Sequence, residues 1–218
     1  MAMDSAVDDS TAVQFNAYMR RYPELYRAMA QCVQRYVRGP QPVILDVGMG
    51  SGLLSLELRR LYPEGTLLGL DPSRSMLRLA EQNFTEAGLS SLGLLQGVSE
   101  ALPVCSDWLD AVVSRFSLPY WPDPAKSFQE IFRVLKPGGY LVLEALNKEY
   151  PAWRLAVLRV LMRLRAAPRN VITYHIDAYR LAHTREWVEE LCQRSGFRLL
   201  EAKGRPKDWK FLVVAQKP

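Results

Sequence analysis

The sequence predicts an α/β protein: one doubly wound, seven-stranded, mostly parallel sheet that ends in an antiparallel hairpin, with helices before the first strand and an inserted helix after the fifth. Three observations carry this prediction. Short apolar runs alternate with helical segments of about 10 to 15 residues, the pattern of parallel βαβ units covered on both faces. The first run, VILDV, leads directly into the glycine-rich turn GMGSG. The last two strand-like segments, 197–203 and 209–215, follow one another without a helix between them.

Each element has its own reason. Residues 1–12 form an acidic lead without an apolar core, which predicts disorder and argues against a secretory signal. Over residues 13–37, Phe15, Met19, Tyr22, Tyr26, Met29, Cys32 and Val33 recur at helical intervals, giving one or two helices broken near Pro23. Gly39-Pro40-Gln41-Pro42 stops them, and residues 43–47 read as a doubly covered strand. Helix 52–61, strand 66–70, helix 73–86 ended by Gly88, and strands 92–96 and 110–114 follow. Asp123 caps helix 124–135, Pro124 suits its first turn, and Lys136-Pro137-Gly138-Gly139 ends it before strand 139–145. Residues 151–166 read as an Arg-rich apolar helix, then comes a loop holding Tyr174 and His175, and a last helix over about 184–194 ended by Gly196. The chain is thus expected to be one domain over 13–218, with cap helices over 13–38 and a substrate-side insert over 147–182.

Composition excludes several classes. Of 218 residues, 49% are hydrophobic and 23% charged, the balance of an ordinary globular protein. Three scattered cysteines and two histidines make a disulfide framework or a zinc site unexpected, so no metal is expected and a cytoplasmic setting is natural. The sequence holds no run of about 18 uncharged apolar residues, the length a transmembrane helix needs, so none is expected. The 28 Lys+Arg against 23 Asp+Glu give a net charge of +5, and residues 151–176 hold five arginines (Arg154, Arg159, Arg163, Arg165, Arg169) and no acid. One window therefore carries the whole excess, which is not the pattern of a uniformly basic nucleic-acid binder.

The turn Asp46-Val47-Gly48-Met49-Gly50-Ser51-Gly52 is the most informative stretch. Glycines let the backbone bend sharply and let a ligand approach it closely. Their spacing is G-x-G-x-G, not the G-x-G-x-x-G of dinucleotide sites, and Asp46 stands two residues before the first. A carboxylate there repels a pyrophosphate and suits a cationic ligand.

Four segments, VILDVGMGSG, GLDPSRSML, QGVSEALPVCSDWLDAVVS and RVLKPGGYLVL, occur in order, and with them the chain resembles the class I S-adenosylmethionine-dependent methyltransferases. The likeness is to the group of small enzymes that includes the quinone-methylating ones. It covers residues 40–145 and implies a Rossmann-like fold, S-adenosylmethionine as cofactor and methyl transfer as activity. It also implies cofactor contacts at Asp46, Gly48, Met49 and Gly50, at Asp71, Pro72 and Met76, at Val98, Ser99 and Glu100, and at Ser114 and Arg115. For Asp71 there is an independent reason: a carboxylate at a strand tip accepts two hydrogen bonds from a vicinal diol such as a ribose. The alternative for Asp71 is an N-cap before Pro72, and for Arg115 a solvated surface position. The family usually has an acid after the glycine that ends strand three, where this chain has Gly97-Val98, so the adenine is expected to rely on the Ser99 amide and on Leu70 and Leu102.

Displacement at a sulfonium needs no proton on the leaving group, so a base is required only if the acceptor must first lose a proton. His175, with Tyr174 beside it, is the candidate, against a purely structural histidine. Tyr18, Tyr22, Phe116, Tyr120 and Trp153 are candidate substrate contacts. At about 100° per residue, Arg154 and Arg165 fall on one side of the insert helix and Arg159 and Arg163 nearly opposite. Three readings stay open for this helix: a lid over a greasy acceptor pocket with arginines meeting an anionic membrane or acceptor, a covering helix with snorkelling arginines, and an RNA contact. The function expected is methyl transfer to a small apolar or aromatic acceptor. The alternatives are a tRNA or other nucleic-acid methyltransferase and an inactive, cofactor-binding partner protein.

Overall fold

The computed structural model describes residues 9–89 and 92–218. Helices α1 (Asp9–Met19) and α2 (Pro23–Tyr36) precede β1 (Val43–Val47), α3 (Leu53–Leu61), β2 (Thr66–Asp71), α4 (Arg74–Glu86) and β3 (Gly93–Gln96). Then come β4 (Leu109–Arg115), a 3₁₀ turn over Leu118–Tyr120, α5 (Pro124–Val134) and β5 (Leu135–Leu146). Two helices, α6 (Ala152–Leu164) and α7 (Arg169–Leu181), occupy the insert, and α8 (Arg185–Arg194), β6 (Arg198–Lys203) and β7 (Lys210–Gln216) close the chain.

The seven strands form one sheet in the order β3-β2-β1-β4-β5-β7-β6. The first five are mutually parallel, and β7 runs antiparallel to both β5 and β6. Strand alternation splits the core in two. Ile44, Val113, Val142 and Val214 pack with α2, α3 and α4, while Leu45, Val112, Leu141 and Val213 pack with Phe128 and Ile131 of α5 and Val188 and Leu191 of α8. The order reverses between β1 and β4, so the carboxyl ends of these strands open a crevice where ligands bind in such sheets.

Capping follows the sequence. Ser73 accepts the Met76 N–H to start α4, Asp123 accepts the Lys126 N–H to start α5, and Thr184 accepts the Trp187 N–H to start α8. Asp71 is therefore not an N-cap.

Three expectations need correction. The acidic lead was expected to run through residue 12, but helix α1 already begins at Asp9; residues 1–8 of that lead lie outside the described residues. The Lys136-Pro137-Gly138-Gly139 segment lies within β5, as a bulge: pairing steps from Leu109↔Leu135 to Ala111↔Tyr140, with Gly138 at φ 82° absorbing the extra residues. Most consequentially, the expected loop around Tyr174 and His175 is the middle of α7. The β-branched run Val171-Ile172-Thr173 disguises a helix whose Val171, Ile172, Ile176 and Tyr179 are buried, and tertiary burial outweighs its weak intrinsic preference.

Candidate active site

The crevice is walled by the turn after β1, the tips of β2, β3 and β4, and side chains from α1, α2 and α7. Its floor is the glycine turn. The N–H groups of Gly48 and Met49 both donate to the Leu70 carbonyl, at 2.8 and 3.1 Å, which fastens the turn to β2. Gly48, Gly50 and Gly52 all have positive φ, from 54° to 76°. A Cβ on Gly48 would sit 2.3 Å from the Ser117 Cβ, whereas one on Gly50 would meet nothing within 4 Å. Gly50 thus borders open space, as a residue does where a ligand lies against the backbone. Helix α3 starts at Gly52 without a side-chain cap, so its first-turn amides are available to an anionic group.

Two buried carboxylates flank this floor. Asp46 accepts the Ser55 hydroxyl on one oxygen at 2.7 Å. Burial, with the nearby Asp71 adding to it, pushes the Asp46 carboxyl up to about 7 against the pull of Ser55 and Arg115. Asp71 accepts the Gly50 N–H on one oxygen and the Ser73 N–H on the other, both at 2.9 Å. Burial also raises its pKa, partly offset by these two bonds. A carboxylate has about four acceptor positions, so each oxygen of Asp71 keeps one for a ligand. Two carboxylates beside an uncapped helix start suit a ligand that is cationic at one point, anionic at another and carries a diol.

Met49, Pro72, Met76, Val98, Ser99 and Glu100 also line the crevice. The Glu100 carboxylate is already engaged, accepting the Asp123 N–H at 2.9 Å and the Ser99 hydroxyl at 3.1 Å, so it ties the loop after β3 to the start of α5. Ser114 is fully buried, bonded to Ser117 at 2.6 Å, and is not among the lining residues.

Arg115 is inside, not on the surface. It donates from Nε to Glu144 at 2.8 Å, Glu144 also pairs with Lys210, and its guanidinium lies 4.5 Å from the Tyr26 ring centroid and 4.1 Å from that of Phe116. Its Nη2 is buried without a hydrogen-bond partner. His175, on the inner face of α7, reaches the same wall. Burial, then the charge of Arg115, lowers its pKa to about 4, so the ring is neutral at pH 7. Tyr174 stacks on Tyr120 with centroids 5.0 Å apart and meets the edge of Phe15 at 5.4 Å.

The substrate-side expectations divide. Phe116 and Tyr120 line the crevice, but Tyr18 and Tyr22 do not. These two bond to each other through their hydroxyls at 3.3 Å, because α1 ends at Met19 and the chain turns before α2. Phe15, Met19 and Tyr26 take the expected place. Trp153 stands 65% exposed on α6, whose inward residues are Leu155, Leu158 and Met162. Among the lining residues missed, Phe15, Met19 and Tyr26 shared the helical periodicity of residues 13–37 without a sign of which side faces the crevice, and Leu146 and Ala178 carry no motif.

Among the described residues no cluster of histidine, cysteine and carboxylate could hold a metal ion, and no helix is long and apolar enough to cross a membrane.

Residues 45–143 match the family described as a methyltransferase domain. A ubiquinone/menaquinone biosynthesis C-methyltransferase, UbiE, of Vibrio parahaemolyticus is 30% identical over an alignment of 168 positions that covers 72% of this chain and 65% of that protein. The chain spans less than two thirds of the length of the curated relatives it matches, at 65%. In three dimensions it is similar to a SAM-dependent methyltransferase from Aquifex aeolicus, at TM-score 0.70 and 19% identity over 97% of this chain and 99% of that one. A Methanococcus maripaludis protein assigned to the same enzymes superposes at TM-score 0.74 and 24% identity, over 96% and 93% of the two chains. Both likenesses are of fold.

Proposed function

We propose that this chain, whose residues 45–143 match a methyltransferase domain, is a class I S-adenosylmethionine-dependent methyltransferase that transfers the methyl group to a small apolar or aromatic acceptor held beneath α7. On the cofactor side, Asp46 pairs with the ammonium, the uncapped start of α3 meets the carboxylate, Asp71 takes the ribose diol, and Val98 and Ser99 flank the adenine. When bound, the cofactor supplies a sulfonium methyl whose transfer needs no acid on the leaving group. The protein's work is then to position the acceptor and exclude water.

The observation that carries the acceptor assignment is the composition of the opposite wall. Phe15, Met19, Tyr26, Phe116, Tyr120 and Tyr174 give it an aromatic, apolar lining, interrupted by Arg115 and His175. An acceptor oxygen fits between these two polar groups. The buried, unpartnered Nη2 of Arg115 can donate to an oxyanion, and the neutral ring of His175 can accept a hydroxyl hydrogen. Together they favour an ionised phenol, which is nucleophilic at oxygen and at ring carbon. The likeness to a quinone-biosynthesis C-methyltransferase supports a ring of this kind.

With His175 titrating near 4 in the free enzyme, kcat/KM is expected to show no ionisation of this histidine around neutral pH. His175→Phe is expected to lower kcat by about 100-fold or more with a smaller change in KM, and His175→Gln to retain part of the rate. Methyl-labelled cofactor with a pool of phenolic and quinol acceptors reads this directly. Equal turnover by His175→Phe would remove the histidine from the chemistry. Labelling of tRNA and of no small molecule would replace the acceptor class.

A further inference from the structure

We infer that α6 is a membrane-docking helix that lies in the plane of an anionic lipid surface. The helix is apolar in two opposite directions. Leu155, Leu158 and Met162 turn inward against the body of the protein. On the other side Trp153, Val157, Val160, Leu161 and Leu164 form an exposed strip, with Leu164 77% exposed. A contiguous apolar strip of this kind on a surface helix marks an interaction face.

The arginines decide what it meets. At 100° per residue, Arg154 and Arg165 border the strip beside Leu161, whereas Arg163 lies about 60° and Arg159 about 100° beyond Val160 on the flank toward α7, and all four are exposed. Arg154 and Arg165 therefore bank the strip on one side, and Arg163, with Arg159 further round, supplies positive charge on the other. Such side chains keep their stems on apolar surface and their heads at the polar boundary, as they do at a membrane interface. Arg159 and Arg163 also line, with Arg169 and Arg180, a groove between α6 and α7. Arg159, Arg163 and Arg169 have no ion pair among the described residues, and no acid occurs over residues 151–176.

A second copy of the chain is a poor occupant, since it would set four arginines against four. A neutral apolar partner leaves them uncompensated. An anionic bilayer satisfies both features, with acyl chains for the strip and phosphates for its banks. At about 1.5 Å per residue the 13-residue helix is roughly 20 Å long, too short to span about 30 Å of hydrocarbon, so it lies on the surface. Leu155 and Leu158 pack against the cluster of Leu146, Ala178, Tyr179 and Ala182, as do Phe116 and Tyr120 of the crevice, so docking places the roof of the acceptor crevice against the lipid.

The inference concerns the surface and holds whatever the acceptor, so it is tested without cofactor or acceptor. The full chain is sedimented with vesicles of phosphatidylglycerol and phosphatidylcholine, and with phosphatidylcholine alone. Binding is expected only to the anionic vesicles and weakened by salt. At about fivefold per arginine, Arg159→Gln with Arg163→Gln should weaken it at least tenfold, and Leu164→Asp should do likewise. A blue shift of tryptophan emission on vesicle binding should be lost in Trp153→Phe. All these positions are exposed, and unchanged thermal unfolding confirms that the variants fold. Failure to bind anionic vesicles, equal binding to neutral ones, or unaffected binding by the variants overturns the inference. So does self-association abolished by Leu164→Asp, or tRNA binding in place of vesicle binding that the arginine variants lose.

Discussion

Replacing Gly48 by alanine is expected to abolish cofactor binding and to destabilise the fold. Two penalties coincide there. At φ 69° an L-residue occupies the left-handed region, which costs roughly 1–2 kcal/mol. The added Cβ would also lie 2.3 Å from the Ser117 Cβ and 2.6 Å from its Oγ, and Ser117 cannot retreat easily. Its hydroxyl donates to the Val47 carbonyl at 3.0 Å and accepts the Trp121 indole N–H at 3.0 Å. The turn must move instead, taking Gly50 away from Asp71. Affinity for S-adenosylmethionine should fall more than about 100-fold, with a lower Tm. Gly50→Ala is the informative contrast, because its Cβ enters open space: stability should change little beyond the left-handed strain while binding is still blocked. Calorimetry and thermal unfolding of the two variants separate these outcomes, and wild-type affinity in Gly48→Ala would show that the ligand does not lie on the turn.

Asp46 should make binding and stability depend on pH in opposite senses. Its carboxyl titrates near 7 in the folded protein and near 3.8 ordinarily. Between these values the folded chain holds a proton that the unfolded chain has lost, so the unfolding free energy falls as pH rises through this window. The loss is up to about 4 kcal/mol across the full interval. Asp46→Asn, which cannot ionise, should lack this slope and be the more stable protein at pH 8. Cofactor affinity runs the other way, since the ammonium needs the ionised carboxylate. Below about pH 7 it should rise about tenfold per pH unit and then level off, and Asp46→Asn should bind weakly at every pH. A flat affinity profile in the wild type would separate Asp46 from the ammonium.

The cofactor half of the crevice was legible because it is written in continuous segments at strand tips. Asp46, Gly48, Gly50 and Asp71 owe their positions to β1 and β2, whose register pairs Asp46 with Gly69 and Val47 with Leu70. The acceptor half was less so. Phe15, Met19 and Tyr26 reach the crevice by helix phase and His175 by a helix whose β-branched start hides it, and packing alone fixes such phases. Tyr18 and Tyr22 had the right residue type and the wrong side. Arg115 looked ambiguous because burial of an arginine depends on Glu144, which lies 29 positions away and pairs with it across the β4–β5 register.

The central claim is that the crevice holds S-adenosylmethionine with its ribose on Asp71, and calorimetric titration of the wild type and Asp71→Ala tests it most directly. One cofactor per chain should bind the wild type. The variant loses up to two charge-assisted hydrogen bonds and should bind about 100-fold more weakly. No binding by the folded wild type, or equal binding by both proteins, would contradict the account.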